Sequence, residues 1–129
     1  MKPVRLLFTS SRSGMDKDVL RLDGGKFGHV SLMLNDVQIL ESTPYRGVHI
    51  NKLHDRLKDS YHARIACLHA PNMLDFRHAL GKPFDWNWLH GKPRRVDAFS
   101  CTTLIADVLQ VRSARYPECS VSELLAMCF

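Results

Sequence analysis

A cysteine at the start of a predicted helix is the side chain of this sequence best suited to covalent chemistry. The stretch DAFSCTTLIADVLQ, residues 97–110, has apolar residues at the spacing of an amphipathic helix, and hydroxyl residues that favour a helix start flank Cys101. The first turn of a helix stabilises a thiolate and offers N–H groups to the oxyanion that forms when a thiolate attacks a carbonyl. Cys101 is therefore a candidate nucleophile; the alternative is a small buried residue in a helix's first turn.

A nucleophilic cysteine needs a base, usually a histidine, and the base needs a partner that orients its ring. His29 is the best candidate because it opens a predicted strand and shares one strand face with Ser31 and Met33. His49 and His69 lie on other predicted strands and are the alternatives.

Glu41 is the predicted orienting residue, and the prediction depends on a hairpin register. A three-residue loop over 34–36 would place His29 directly opposite Glu41, about 5 Å apart at Cβ, which is within reach of a carboxylate–imidazole contact. A two-residue loop over 35–36 would instead place Val30 opposite Glu41, on the other face of the sheet. Without the first register, Glu41 is an ordinary charge at a strand end.

The wider pattern predicts strands first and helices afterwards. Strands are predicted over 4–9, 28–34, 37–42, 47–51 and 61–69; helices over 15–22, 52–59, 71–81, 97–110 and 120–129; and an aromatic-rich loop over 82–95. This order predicts an α+β fold in one domain, residues 1–129, with an antiparallel sheet or meander and helices on one side.

Composition and charge limit the class of protein. The chain has 129 residues, of which 45% are apolar, enough for one core without disulfides. It has no apolar run of about 18 residues and no signal peptide, which predicts a cytoplasmic location and leaves export by another route open. The net charge of +5, densest in GKPRR at 91–95, suits contact with nucleic acid, a membrane or a cell wall, but no specific nucleic-acid signature accompanies it, and a solvated surface with a mild positive bias is the favoured alternative.

The cysteine and histidine spacings predict neither a metal nor a cofactor. The four cysteines contain no C-x-x-C pair, and the seven histidines contain no H-E-x-x-H motif. Cys67 and Cys128 lie among apolar residues and are predicted to be small buried side chains with free thiols.

Taken in order, the segments FGHVSLML, VQILES, GVHI, GKPFDW and FSCTTLIADVL resemble the circularly permuted papain-like enzymes of the YiiX/YaeF type, relatives of the NlpC-type cell-wall peptidases. The resemblance covers roughly residues 4–111. In ordinary papain-like enzymes the cysteine helix precedes the histidine strand, whereas here the histidine comes first. The resemblance implies a permuted papain-like fold and a thiol hydrolase of amide or ester bonds, with Cys101 as nucleophile, His29 as base and Glu41 as its acidic partner.

Two positions depart from that family. Thr102-Thr103 follow the cysteine where the family commonly has Ser and then an acidic or small residue, and Phe84 stands where Tyr is common, which removes one hydrogen-bond donor near the oxyanion. Lecithin-retinol-acyltransferase-like relatives share the topology but carry an N-C-E-H-type motif that FSCTTL does not match. Peptide or amide substrates, such as a bacterial or phage-targeted cell-wall peptide, are therefore favoured. The candidate substrate-binding residues are Tyr45, Phe84, Trp86 and Thr102.

Three functions remain open from the sequence. The first is a cysteine amidase or peptidase that acts through an acyl-thioester. The second is a basic binding module on a catalytically degenerate papain-like scaffold. The third is a lipid acyltransferase or thioesterase. The sequence does not predict the oligomeric state.

Overall fold

The protein is an α+β structure, as the order of its elements predicts. A computed structural model describes residues 2–14, 16, 17, 19, 25–70, 75–90, 92–110 and 120–129. Its strands are β1 (Lys2–Ser11), β2 (His29–Met33), β3 (Gln38–Thr43), β4 (Gly47–Lys52) and β5 (Ser60–Ala70). Its helices are α1 (Leu53–Lys58), α2 (Trp86–Leu89), α3 (Cys101–Leu109) and α4 (Val121–Ala126), and residues 14, 16, 17 and 19 are also helical.

The five strands form one antiparallel sheet in the order β4-β3-β2-β1-β5. Strands β2, β3 and β4 are the predicted meander. After α1 the chain crosses to the opposite edge, where β5 pairs with the whole of β1, from Lys2 opposite Ala70 to Ser11 opposite Ser60. His29, Glu41 and His49, which are described below, lie on β2, β3 and β4.

Apolar side chains on the two faces of the sheet belong to separate clusters. Leu6 and Phe8 of β1 belong to a large core that includes the apolar residues of α3, whereas Leu7, between them, belongs to a small cluster with Met33 and Ile39. Because successive strand residues point to opposite faces, these clusters cover opposite faces of the sheet. Leu53, the first residue of α1, packs against the small cluster. The prediction that all helices lie on one side is therefore wrong for α1.

The hairpin between β2 and β3 has a different register from the predicted one. The loop has three residues, but it spans 35–37, because Leu34 N–H donates to the Gln38 carbonyl and Met33 pairs with Ile39. Asn35 begins the turn: its side-chain oxygen accepts from the N–H groups of residues 37 and 38 at 2.9 and 2.8 Å. Because these hydrogen bonds close the turn over residues 35–37, Val37 lies in the loop, where it is 66% exposed.

Moving the loop by one residue shifts the strand pairing by two. Continuing the observed register places Ser31, and not His29, opposite Glu41. The predicted direct pairing of His29 with Glu41 is thus wrong. The predicted shared face is right, because a shift of two residues preserves the side of the sheet to which a side chain points.

Two predictions for the segment after β5 are also corrected. The predicted helix over 71–81 is absent from its described part, 75–81, which forms a turn that ends at Gly81 with φ +80°; residues 71–74 lie outside the described residues. The predicted loop over 82–95 contains the short helix α2. Most of the predicted helix 15–22 lies outside the described residues. Among the helices that are described, none is long and apolar enough to cross a bilayer.

Candidate active site

The structure brings His29 and Glu41 into contact although they are not opposite each other in the sheet. The His29 Nε2 atom lies 2.9 Å from Oε1 of Glu41, and both side chains are almost fully buried. Because a carboxylate only accepts hydrogen bonds, Nε2 carries the ring proton in this contact. The bond therefore fixes the tautomer of His29 and leaves the lone pair of neutral His29 on Nδ1.

Glu41 accepts six hydrogen bonds from five side chains. The donors are His29, Ser31 and Arg56 at Oε1, and His49, Asn51 and Arg56 at Oε2, at 2.7 to 3.2 Å. Burial raises the pKa of Glu41, but the hydrogen bonds from His29, His49 and Arg56 outweigh it and hold that pKa far below its usual range. Glu41 is thus a buried carboxylate whose ionised form is favoured by its hydrogen bonds.

His29 also interacts with the thiol of Cys101. Burial lowers the pKa of His29, but the contact with Cys101 and the hydrogen bond with Glu41 outweigh burial and raise the pKa from 6.5 to about 9. Within the described part of the chain, Nδ1 is buried and makes no hydrogen bond. The thiol, the imidazole and the carboxylate are therefore electrostatically coupled, and the observed hydrogen bond in this group is the one between His29 and Glu41.

Local structure places Cys101 at the start of its helix. Ser100 is the N-cap of α3: its hydroxyl accepts from Thr103 N–H at 3.2 Å, and Ser100 N–H donates to the Thr103 hydroxyl at 2.8 Å. The cap satisfies two of the orphan N–H groups of the first turn. The N–H groups of Cys101 and Thr102 remain, within the described residues, the unpaired donors at this helix end.

A long-range bridge anchors the segment before α3 to the sheet. Phe84 and Phe99 form an isolated parallel β-bridge, and the Ser42 hydroxyl of β3 donates to the Phe99 carbonyl at 2.7 Å. Since Ser42 follows Glu41 directly, one strand both orients His29 and supports the loop that presents Cys101. Gly47 is required nearby: its φ is +66°, and a Cβ there would lie 2.3 Å from the Lys82 carbonyl oxygen.

A cleft of about 780 Å³ opens next to His29. Among its described lining residues are Ser11, Arg12, Thr43, Tyr45, Arg46, His49, Arg56 and Trp86. Cys101 is 1% exposed and does not belong to this described lining. The cleft thus reaches His29, and Cys101 is buried outside its described lining.

The four candidate substrate-binding residues fall into two groups. Tyr45 and Trp86 line the cleft and form an edge-on ring pair at 6.3 Å. Phe84 is buried behind Trp86, with ring centroids 5.3 Å apart, and Thr102 is buried with its hydroxyl 3.2 Å from that of Ser100. The structure therefore places the first two at the cleft and the last two in supporting positions.

Sequence reasoning missed the side chains that surround Glu41. His49 was an alternative base, but its Nε2 lies 3.2 Å from Oε2 of Glu41, because Glu41 and His49 are direct partners in the β3–β4 ladder. Asn51 lies on the same face two residues later, and this alternation could have indicated it. No local signal identified Arg56, which reaches Glu41 from α1. His69 is far from this group, since its ring stacks on Phe129.

Comparison with protein families, curated proteins and solved structures finds no match for this chain. Within the described ranges, no three His, Cys, Asp or Glu side chains are grouped as metal ligands.

Proposed function

We propose that this protein is a thiol hydrolase that cleaves an amide bond, on a permuted papain-like scaffold, through Cys101, His29 and Glu41. The observation that carries the proposal is the buried imidazole of His29, which is hydrogen-bonded to Glu41 and interacts with the thiol of Cys101, the first residue of α3. These are the parts that nucleophilic catalysis by cysteine requires: a nucleophile, a base and a group that orients the base.

The proposed reaction starts with proton transfer from the Cys101 thiol to Nδ1 of His29, while Nε2 stays bonded to Glu41. The thiolate attacks the carbonyl carbon of the amide, and the N–H groups of Cys101 and Thr102 bind the oxyanion. The imidazolium then protonates the leaving amine, the carbon–nitrogen bond breaks, and an acyl-thioester remains on the sulfur. Water attacks this thioester with Nδ1 as base, which releases the acid and restores the thiol.

The test is alkylation of each cysteine as a function of pH, with iodoacetamide as the reagent and mass spectrometry as the readout. We expect Cys101 to react well below pH 8 and faster than Cys67, Cys119 and Cys128. Cys101→Ala should abolish hydrolysis of a panel of peptide and amide substrates while the fold survives, and Cys128→Ala is the matched control that should retain it. An alanine variant at 101 with full turnover, or a Cys101 that reacts no faster than the other thiols, would overturn the proposal.

A basic binding module on the same scaffold is the second candidate. Two observations favour it: Cys101 is almost fully buried, and Arg12 and Arg46 line the cleft without an ion-pair partner among the described residues. This candidate predicts an unreactive Cys101 and binding to a polyanion such as heparin that weakens steeply with salt. Transfer of an acyl chain from phospholipid vesicles to Cys101 would instead support the lipid acyltransferase.

A further inference from the structure

We propose that Arg56 is a positioning residue of this site, which holds Glu41 as a fixed carboxylate and limits how strongly that carboxylate stabilises the His29 imidazolium. The inference rests on the proposed function, because it assigns Arg56 a part in setting the protonation of the proposed base. Arg56 acts through Glu41 and is not assigned a contact with substrate.

The geometry of the contact is a two-pronged fork. Arg56 Nε donates to Oε1 of Glu41 at 2.9 Å, and Nη2 donates to Oε2 at 2.7 Å. This parallel pair fixes the rotation of the carboxylate as well as its charge, which a single-point cation does not do. Glu41 is fully buried and Arg56 is mostly buried, so water screens the pair only weakly.

The other donors leave the carboxylate without room for a proton. A carboxylate offers about four lone-pair sites, and Glu41 already accepts from Ser31, His49 and Asn51 in addition to His29 and Arg56. His49 also lies 2.8 Å, through Nδ1, from the Gly47 carbonyl oxygen.

The electrostatic consequence follows from a shared oxygen. Arg56 Nε and His29 Nε2 are both 2.9 Å from the same Oε1 atom of Glu41. Two cations on one oxygen repel each other, so the guanidinium makes the imidazolium less favourable than Glu41 alone would make it. Removing the guanidinium should therefore strengthen the hold of His29 on its proton.

The charged groups around this pair come from several elements. Cys101 of α3 interacts with His29, His49 of β4 bonds to Glu41, and Asp16 and Asp59 act on Arg56 from outside the pair. Hydrogen bonds near both ends of α1 hold Arg56 in place. At the start of the helix, Leu53 N–H donates to the Val37 carbonyl; beyond its end, the Ser60 hydroxyl of β5 donates to the Arg56 carbonyl at 2.7 Å.

The test is the titration of the His29 ring by NMR in the full chain, compared between wild type and Arg56→Met. We expect the midpoint of His29 to rise by about one pH unit in Arg56→Met, which corresponds to tenfold tighter proton binding. Arg46→Met is the matched control, because Arg46 lines the same cleft but does not bond to Glu41. In Arg46→Met the midpoint of the His29 titration should stay at the wild-type value.

Arg56→Lys keeps the charge without the fork and serves if Arg56→Met does not fold. Its His29 midpoint should stay close to wild type, while Cys101 alkylation slows about threefold to tenfold because a single-point cation holds the Glu41 carboxylate less rigidly than the fork does. An unchanged midpoint in Arg56→Met, an equal rise in Arg46→Met, or unchanged alkylation in Arg56→Lys would overturn the inference. None of these outcomes contradicts the proposed hydrolase function as long as Cys101 of the wild type is reactive. An unreactive Cys101 in the wild type would contradict that function whatever the role of Arg56.

Discussion

Two thiols of this protein lie at opposite ends of helices, and their surroundings differ in almost every respect. Cys101 is the first residue of α3 and contacts the His29 ring. Cys128 lies just beyond the end of α4, where its sulfur donates to the Leu124 carbonyl at 3.3 Å. The first thiol has N–H groups and a base next to it, whereas the second donates a hydrogen bond to a carbonyl oxygen.

The electrostatic effects follow from these positions. Burial raises the pKa of Cys128 and the nearby Cys67 adds to this effect, which the charge of Arg64 only partly opposes. Cys101, by contrast, raises the pKa of the histidine beside it. A helix C-terminus favours a neutral thiol and a helix N-terminus favours a thiolate. If the proposed function holds, the helix end and the nearest titratable group, and not the residue type alone, distinguish the nucleophile from the other thiol.

The change with the largest expected effect removes the base. In His29→Ala, alkylation of Cys101 at pH 6.5 should slow by about 10- to 100-fold, because no imidazolium remains to stabilise the thiolate. Cys128 should react at its unchanged rate, so the difference between the two thiols largely disappears in the mass-spectrometric assay. His69→Ala, which removes a distant surface ring, is the control. Fast low-pH alkylation of Cys101 in His29→Ala would contradict the assigned pair.

His29, which interacts with Cys101, and the second thiol, Cys128, should affect the free energy of unfolding in different pH ranges. The pKa of His29 is raised in the folded state from 6.5 to about 9, so its contribution to stability is complete below pH 6.5 and is lost as the pH rises through about 9. The free energy of unfolding, measured with urea between pH 6 and 9, should fall by on the order of 2 kcal/mol.

Variants at the two sites separate these pH ranges. His29→Gln should flatten the slope between pH 6.5 and 9. The pKa of Cys128 is raised above its ordinary 9.0, so Cys128→Ala should change the slope only above pH 9. A slope that persists in His29→Gln would assign the pH dependence to another group.

The smallest effect compares the caps of the two helices. Ser100→Ala should lower the free energy of unfolding by about 1–2 kcal/mol, because its fully buried hydroxyl bonds to the N–H and hydroxyl of Thr103. Ser120→Ala at the half-buried start of α4 should cost about 0.5–1 kcal/mol. Only Ser100→Ala should slow Cys101 alkylation. Urea unfolding measures the loss of stability in each variant. If Ser100→Ala and Ser120→Ala slowed Cys101 alkylation equally, the reactivity of the thiol would not depend on the cap of its own helix.

Most strands were predictable because their signal is local. The apolar runs of β1, β4 and β5 and the turn between β3 and β4 agree with the predicted elements to within a few residues. The helix predicted over 71–81 is absent from its described residues, although the sequence has Pro71 at the start and Gly81 at the end of this segment, as a helix favours. There the chain between Phe76 and Gly81 folds into turns, and Gly81 N–H donates to the Val48 carbonyl of β4. Pairing with a strand edge is a tertiary interaction that local propensity does not contain.

Two features of the candidate site were determined by the sequence alone. Ser100 and Thr103 specify the start of α3, since a capping box involves only neighbouring residues. The common face of His29, Ser31 and Glu41 follows from the two-residue period of strands, which survived an error of two residues in the register.

The tertiary structure decided the rest. The contact of Cys101 with His29 joins residues far apart in the chain, and the fork from Arg56 to Glu41 depends on how α1 packs after β4. Such contacts depend on the summed packing of several elements, and no short segment carries enough free energy to specify them. Side-chain type and period therefore predict which residues are available for chemistry, and only the packed sheet and helices determine which of them meet.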